Sequence, residues 1–161
     1  MTLPAEQTGW LPSELPAVDH RPIVIGVRGI PIPQGSMKAF VVGHRAIVTA
    51  DNARTKPWKA AVTDMAGRVM ARLGMTPLDG PVDVDVVFRM PRPKGHFGRK
   101  GLLPSAPASP ATKPDIDKLA WAVLDALTGI VFRDDSQVVA LRLAKVYADD
   151  PGATITIEAT R

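Results

Sequence analysis

The chain has 161 residues, enough for one domain with a substantial core, and carries 20 Lys and Arg against 16 Asp and Glu, a formal charge of +4. It has no cysteine, which excludes disulfides, a thiol nucleophile and cysteine-ligated zinc or iron–sulfur clusters. No apolar run approaches the length of a membrane span. The N-terminus holds Glu6, Glu14 and three prolines where a signal peptide would place a basic and then an apolar stretch, so a cytoplasmic protein is expected.

Residues 1–21 have no periodicity and read as an irregular leader, with Trp10 and Leu11 as its one strong apolar pair. A single domain is expected over 22–161. Its first strand is Ile23–Gly29, ended by the breakers Pro31, Pro33 and Gly35. Lys38–Thr49 reads as a hairpin turning at Gly43-His44. Pro57 sits in the first turn of a helix whose apolar positions are Trp58, Ala61, Val62, Met65, Ala66, Val69 and Leu73, stopped at Gly74. The methionines at 65, 70 and 75 read as core filler. Val82–Met90 alternates as a half-buried strand, with Asp83 and Asp85 on its second face.

The segment from Val86 to Pro114 contains no acid but six bases: Arg89, Arg92, Lys94, Arg99, Lys100 and Lys113. Removing it leaves the rest of the chain slightly acidic, so the positive excess is local. A local basic stretch is the usual footprint of a polyanion, although a solubilising loop has the same composition. Residues 91–113, rich in Pro, Gly, Ser and Ala, read as a long mobile loop.

Asp115 then stands at an N-cap position. Ile116, Leu119, Ala120, Val123, Leu124 and Leu127 form an unbroken helical stripe that ends at Thr128-Gly129. This helix places Asp115 and Asp117 at its start, and the chain returns through Asp134 and Asp135 into a strand at Gln137–Ala148. That strand is apolar on both faces and is expected in the middle of the sheet. Four acids at these positions suit a hard divalent cation such as magnesium, which takes oxygen ligands and completes its shell with water and phosphate. The same residues also suit a cap, a first-turn charge and a solvated turn, and spacing does not separate these readings. A final strand at Ala153–Ala159 turns Ile155 and Ile157 inward. The order of elements implies an α+β domain, two helices packed on one face of a mostly antiparallel sheet.

The run PDIDKLAWAVLDALTG, followed by DDSQVV and then Lys145, resembles the RusA-type Holliday-junction resolvases of bacteria and prophages. The likeness is good over roughly 82–148, looser at Gly29-Ile30-Pro31 and the first helix, and absent over 1–21. It implies a magnesium-dependent endonuclease, with manganese as a substitute ion, that acts on branched DNA in recombination and repair as a homodimer. The family's catalytic carboxylates fall on Asp115, Asp117 and Asp135, with Asp134 as the adjoining metal-site acid and Asp125 as a structural helix acid. The bases at 89, 92, 94, 99, 100 and 113 become the DNA-binding set. Where the family has Asn and then a basic residue after its Asp-x-Asp pair, this chain has Lys118 and Trp121. Lys118 and Lys145 are therefore the candidates for the catalytic charge. Trp121 leaves open a second reading, a weakly active or non-catalytic protein that binds branched DNA.

Overall fold

The computed structural model describes residues 21–35, 37–50 and 53–160. The leader, with Trp10 and Leu11, lies outside the described residues apart from Arg21. The elements in chain order are β1 (Ile23–Arg28), β2 (Met37–Val42), β3 (Arg45–Ala50), α1 (Thr55–Leu73), β4 (Val82–Met90), β5 (Phe97–Gly98), β6 (Gly101–Leu102), α2 (Ile116–Leu127), β7 (Val138–Tyr147) and β8 (Gly152–Ala159). The main sheet runs β1-β8-β4-β7, while β2-β3 and β5-β6 form separate two-stranded ribbons. β8 pairs antiparallel with both β1 and β4, and β4 pairs parallel with β7. This is a single α+β domain with a mixed sheet.

The period-2 and period-3.6 patterns explain the layering. Ile23, Ile25 and Val27 of β1, the even-numbered Val82 to Met90 positions of β4, and Ala153, Ile155 and Ile157 of β8 are buried on one sheet face. Onto it pack Trp58, Val62, Ala66 and Met70 of α1, and Leu119, Ala122, Val123, Ala126 and Leu127 of α2. Met65 and Met75 fill the margin of that core, as expected. Leu73, assigned to the α1 stripe, is instead largely exposed, because the last turn of the helix runs past the sheet. After α2, Gly129 takes the left-handed conformation at φ 81°. Its N–H then donates to the Phe132 carbonyl at 2.7 Å. That turn folds Val131 and Phe132 into the core, both fully buried.

β7 is an edge strand, contrary to the expectation of a central one. A parallel pair requires a crossover, here supplied by the 91–115 loop and α2, and it lays β7 outside β4. The chain then passes back so that β8 occupies the middle. The apolar residues that suggested a buried strand remain partly in solvent: Val139, Leu141 and Val146 are exposed. The opposite sheet face is largely polar. There Arg142 brackets Asp85, with Nη2 to Oδ2 at 2.9 Å, and approaches Asp83 at 4.0 Å. These two acids are thereby held on the face away from the helices. Gly152 passes so close to the Val27 carbonyl and the Arg89 guanidinium that a Cβ would collide with both.

Candidate nuclease site

The site is assembled around the start of α2. Asp115 occupies the N-cap with extended backbone (φ −67°, ψ 136°), yet its carboxylate accepts no capping hydrogen bond. It faces outward instead, with Lys118 Nζ 3.7 Å from Oδ2. Asp117 lies in the first turn and is exposed. Both carboxylates line one open groove of about 650 Å³, together with Lys113, Lys145 and the 109–112 segment. Beneath them, Leu119 and Ala120 are buried, so the packed face of the helix fixes the acids on its outer side.

Four long-range hydrogen bonds set the walls. Lys145 Nζ donates to the carbonyls of Thr112 and Pro114, each at 2.9 Å, which fastens the chain just before Asp115 to β7. Gln34 N–H donates to the Lys118 carbonyl at 2.9 Å, and Thr55 Oγ1 donates to the Pro33 carbonyl at 2.7 Å. The Pro-rich segment after β1 is thereby held between the two helices. It bounds a second opening of about 410 Å³, which shares Lys113 and Asp115 with the first and is also lined by Lys118. A third opening of about 240 Å³ is bounded by Gln34, Trp121, Asp125 and Asp135. The three adjoin in a row, sharing Asp115 and then Gln34.

Asp115 and Asp117 thus line one groove, whereas Asp135 lines the opening beside Trp121. Among the described residues no three acids are close enough to hold one ion. The reason lies along the helix. Asp135 lines the same opening as Trp121, and Trp121 stands one turn, about 6 Å, beyond Asp117 along the helix. Asp134 is occupied otherwise. Its side chain accepts from Ser136 N–H at 2.8 Å and closes a capping box with Gln137 over a 3₁₀ turn at Asp135–Gln137. Hydrogen bonds from Ser136, side chain and then backbone, hold the Asp134 carboxyl below its ordinary value. Asp125 is ion-paired with Lys59 of α1.

The basic set divides. Lys94, Arg99, Lys100 and Lys113 are exposed, the first three on or beside the small β5-β6 hairpin, which gives part of the 91–113 loop regular structure. Arg92 lies over the Tyr147 ring, its guanidinium carbon 4.3 Å from the ring centroid, and donates to the Pro107 carbonyl at 2.8 Å. Arg89 belongs to β4 and points to the polar sheet face, where it bonds the Asp150 carbonyl at 3.0 Å and Thr154 Oγ1 at 2.7 Å. Alternation along β4 turns this member of the candidate DNA-binding set away from the loop. Gln34 escaped the sequence reading because PIPQGS carries only a turn signal, and Lys59 because nothing local links it to Asp125.

Two outward carboxylates of a rigid helix start, with ammonium groups along the same groove, have the chemistry of a phosphodiester-handling site. Two carboxylates and a substrate phosphate are an ordinary donor set for magnesium, so Asp115 and Asp117 fit such an ion without a third acid. The family model described as "Endodeoxyribonuclease RusA" matches residues 29–158. The chain is also 32% identical over 139 residues to a Bacillus subtilis (strain 168) protein described as "Uncharacterized protein YqaN", covering 81% of this chain and 92% of that one. The chain belongs to the RusA endodeoxyribonuclease family. Among the described residues no helix is long and apolar enough to cross a membrane.

Proposed function

We propose that the protein is a magnesium-dependent, structure-selective endodeoxyribonuclease that resolves four-way junctions by paired nicks as a homodimer. The observation that carries this reading is the outward Asp115–Asp117 pair in one groove with Lys113 and Lys145, in a chain of this family. Asp115 and Asp117 hold the cation, which when bound supplies activation of the attacking water and relief of the charge developing on phosphate. Manganese substitutes for it. Lys118, beside Asp115, supplies a fixed positive charge for the transition state. The exposed bases of the 94–113 segment contact backbone phosphates and so position the duplex arms without reading sequence. A two-fold dimer presents two such sites to a substrate that is itself nearly two-fold. The β7 edge, with exposed Val139 and Leu141, is available to a second copy.

The second reading, a weakly active or non-catalytic binder of branched DNA, is favoured by Trp121 and by the separation of Asp135 from the other acids. One assay separates the two: a four-way junction incubated with Mg²⁺, beside an EDTA control. Cleavage that EDTA stops, and that Asp117→Asn abolishes with junction binding retained, is the expected result. An active Asp117→Asn protein overturns the site. Binding without cleavage by the unaltered protein selects the second reading.

A further inference from the structure

The β5-β6 hairpin carries two apolar side chains that neither the core nor the phosphate chemistry uses. Phe97 and Leu102 are direct cross-strand partners, so both project from the same face of the ribbon, and they are 48% and 51% exposed. The other face is closed. Gly98 and Gly101 pair there without side chains, and Leu103 lies over it, so near that a Cβ on Gly98 would stand 2.9 Å from Leu103 Cδ2. Exposed apolar residues are ordinary when scattered, but two set side by side on a fastened ribbon mark a contact surface. The fastening is at the root. Leu103 N–H donates to the His96 carbonyl at 2.9 Å, the His96 ring stands edge-on to Tyr147 with centroids 5.5 Å apart, and Arg92 covers that same Tyr147 ring. Tyr147 shares a recess with Lys113 and Lys145, both of which also line the Asp115–Asp117 groove. The hairpin is therefore rooted beside that groove.

The surroundings name the partner. Lys94, Arg99 and Lys100 flank the pair, and no acid occurs from Val86 to Pro114. An apolar pair framed by cations, with no anion near in sequence, complements a base-pair face framed by phosphates. A continuous duplex hides such faces inside its stack, whereas a branch point ends the stack of each arm and uncovers one. We propose that the hairpin is an apolar wedge for the branch point. Phe97 lies on the terminal base pair of one arm, Leu102 packs against the same pair, and Arg99 and Lys100 at the turn hold the flanking phosphates. Phe and Leu are among the side chains that insert between base steps, and an aromatic ring stacks on any base. The inference rests on the junction-nuclease reading and gives it a source of structure selectivity. The cations bind any duplex, but the apolar pair gains contact only where stacking is interrupted. No base edge is read, so the wedge adds no sequence preference.

The test titrates the full chain, in EDTA, with a four-way junction and with a linear duplex of the same arm sequence. Each DNA carries 2-aminopurine at the position that flanks the branch point in the junction. Expected is a change in 2-aminopurine emission on binding the junction and none on binding the duplex. Phe97→Ala combined with Leu102→Ala weakens junction binding about tenfold, removes the 2-aminopurine response and leaves duplex binding near that of the unaltered protein. Phe97→Trp keeps junction affinity, and its added emission responds to the junction alone. Replacing Arg99 and Lys100 with Gln weakens binding of both DNAs alike. Circular dichroism confirms that the variants fold. A double alanine variant that binds both DNAs as the unaltered protein does overturns the wedge, as does one that is folded and loses both equally. A Phe97→Trp emission that shifts with protein concentration in the absence of DNA assigns the pair to a second copy and also overturns it. Cleavage in Mg²⁺ is scored separately. The expected binding results without cleavage by the unaltered protein support the wedge and overturn only the nuclease reading. Cleavage by the unaltered protein, with no effect of the double variant on binding, overturns only the wedge. No binding to either DNA overturns both.

Discussion

Lys145 tests whether an amine near a phosphate-handling site acts on substrate or on the protein. Its Nζ bonds two carbonyls, of Thr112 and Pro114, at 2.9 Å each, in the stretch that delivers Asp115 to the start of α2. A hydrogen bond involving a charged group contributes about 1.5–3 kcal/mol when buried. One of these is exposed and the other only partly buried, so replacing Lys145 with Met should cost about 2 kcal/mol in total. For a domain of this size that is a fall in Tm of roughly 4–8 °C. The loss should be concentrated in the clamped segment. Amide exchange at residues 111–118 is expected to speed up more than exchange in β8, because local opening there no longer breaks the clamp. Cleavage should fall because Asp115 loses its fixed position. Addition of a soluble alkylamine should not rescue it, since the missing interaction is internal. The reasoning is refuted if Lys145→Met keeps its Tm and amide protection but loses cleavage. That result would place the ammonium on the scissile phosphate.

Other measurements bear on separate parts of the molecule. Replacing Lys94, Arg99 and Lys100 with Gln is expected to reduce the slope of log K against log salt for junction binding by roughly 2–3, at about 0.9 per phosphate contact; an unchanged slope means the hairpin does not touch DNA. Asp85 is held below its ordinary value chiefly by its hydrogen bond to Arg142. A depressed carboxyl contributes stability that is complete above the unfolded value of about 3.9 and is lost as pH falls through the folded one. Asp85→Asn should therefore lower Tm at pH 7, with a difference from wild type that closes as pH drops below about 4. A gap that widens in acid would refute that assignment.

The local patterns were legible because each is a property of a few consecutive residues. The stripe from Ile116 to Leu127, the alternation of β4 and the Gly129 stop all correspond to observed elements. The candidate acids at 115 and 117 were legible for the same reason, since a helix start determines its own neighbours. Strand order was not. β7 carries apolar residues on both sides, and only the crossover through α2 and the return of β8 to the middle place it at the edge.

The sequence by itself determined two amphipathic helices, the strands that bury one face, and a pair of carboxylates on a fixed helix start, because periodicity and capping act within one or two turns. Tertiary structure decided what surrounds that pair. It tied Lys145 to the carbonyls before Asp115, turned Arg89 to the far face, opened Asp135 onto the Trp121 pocket and brought Gln34 across from the β1 end. These contacts join residues distant in sequence, and their geometry follows from how the helices lie on the sheet, which no local pattern encodes.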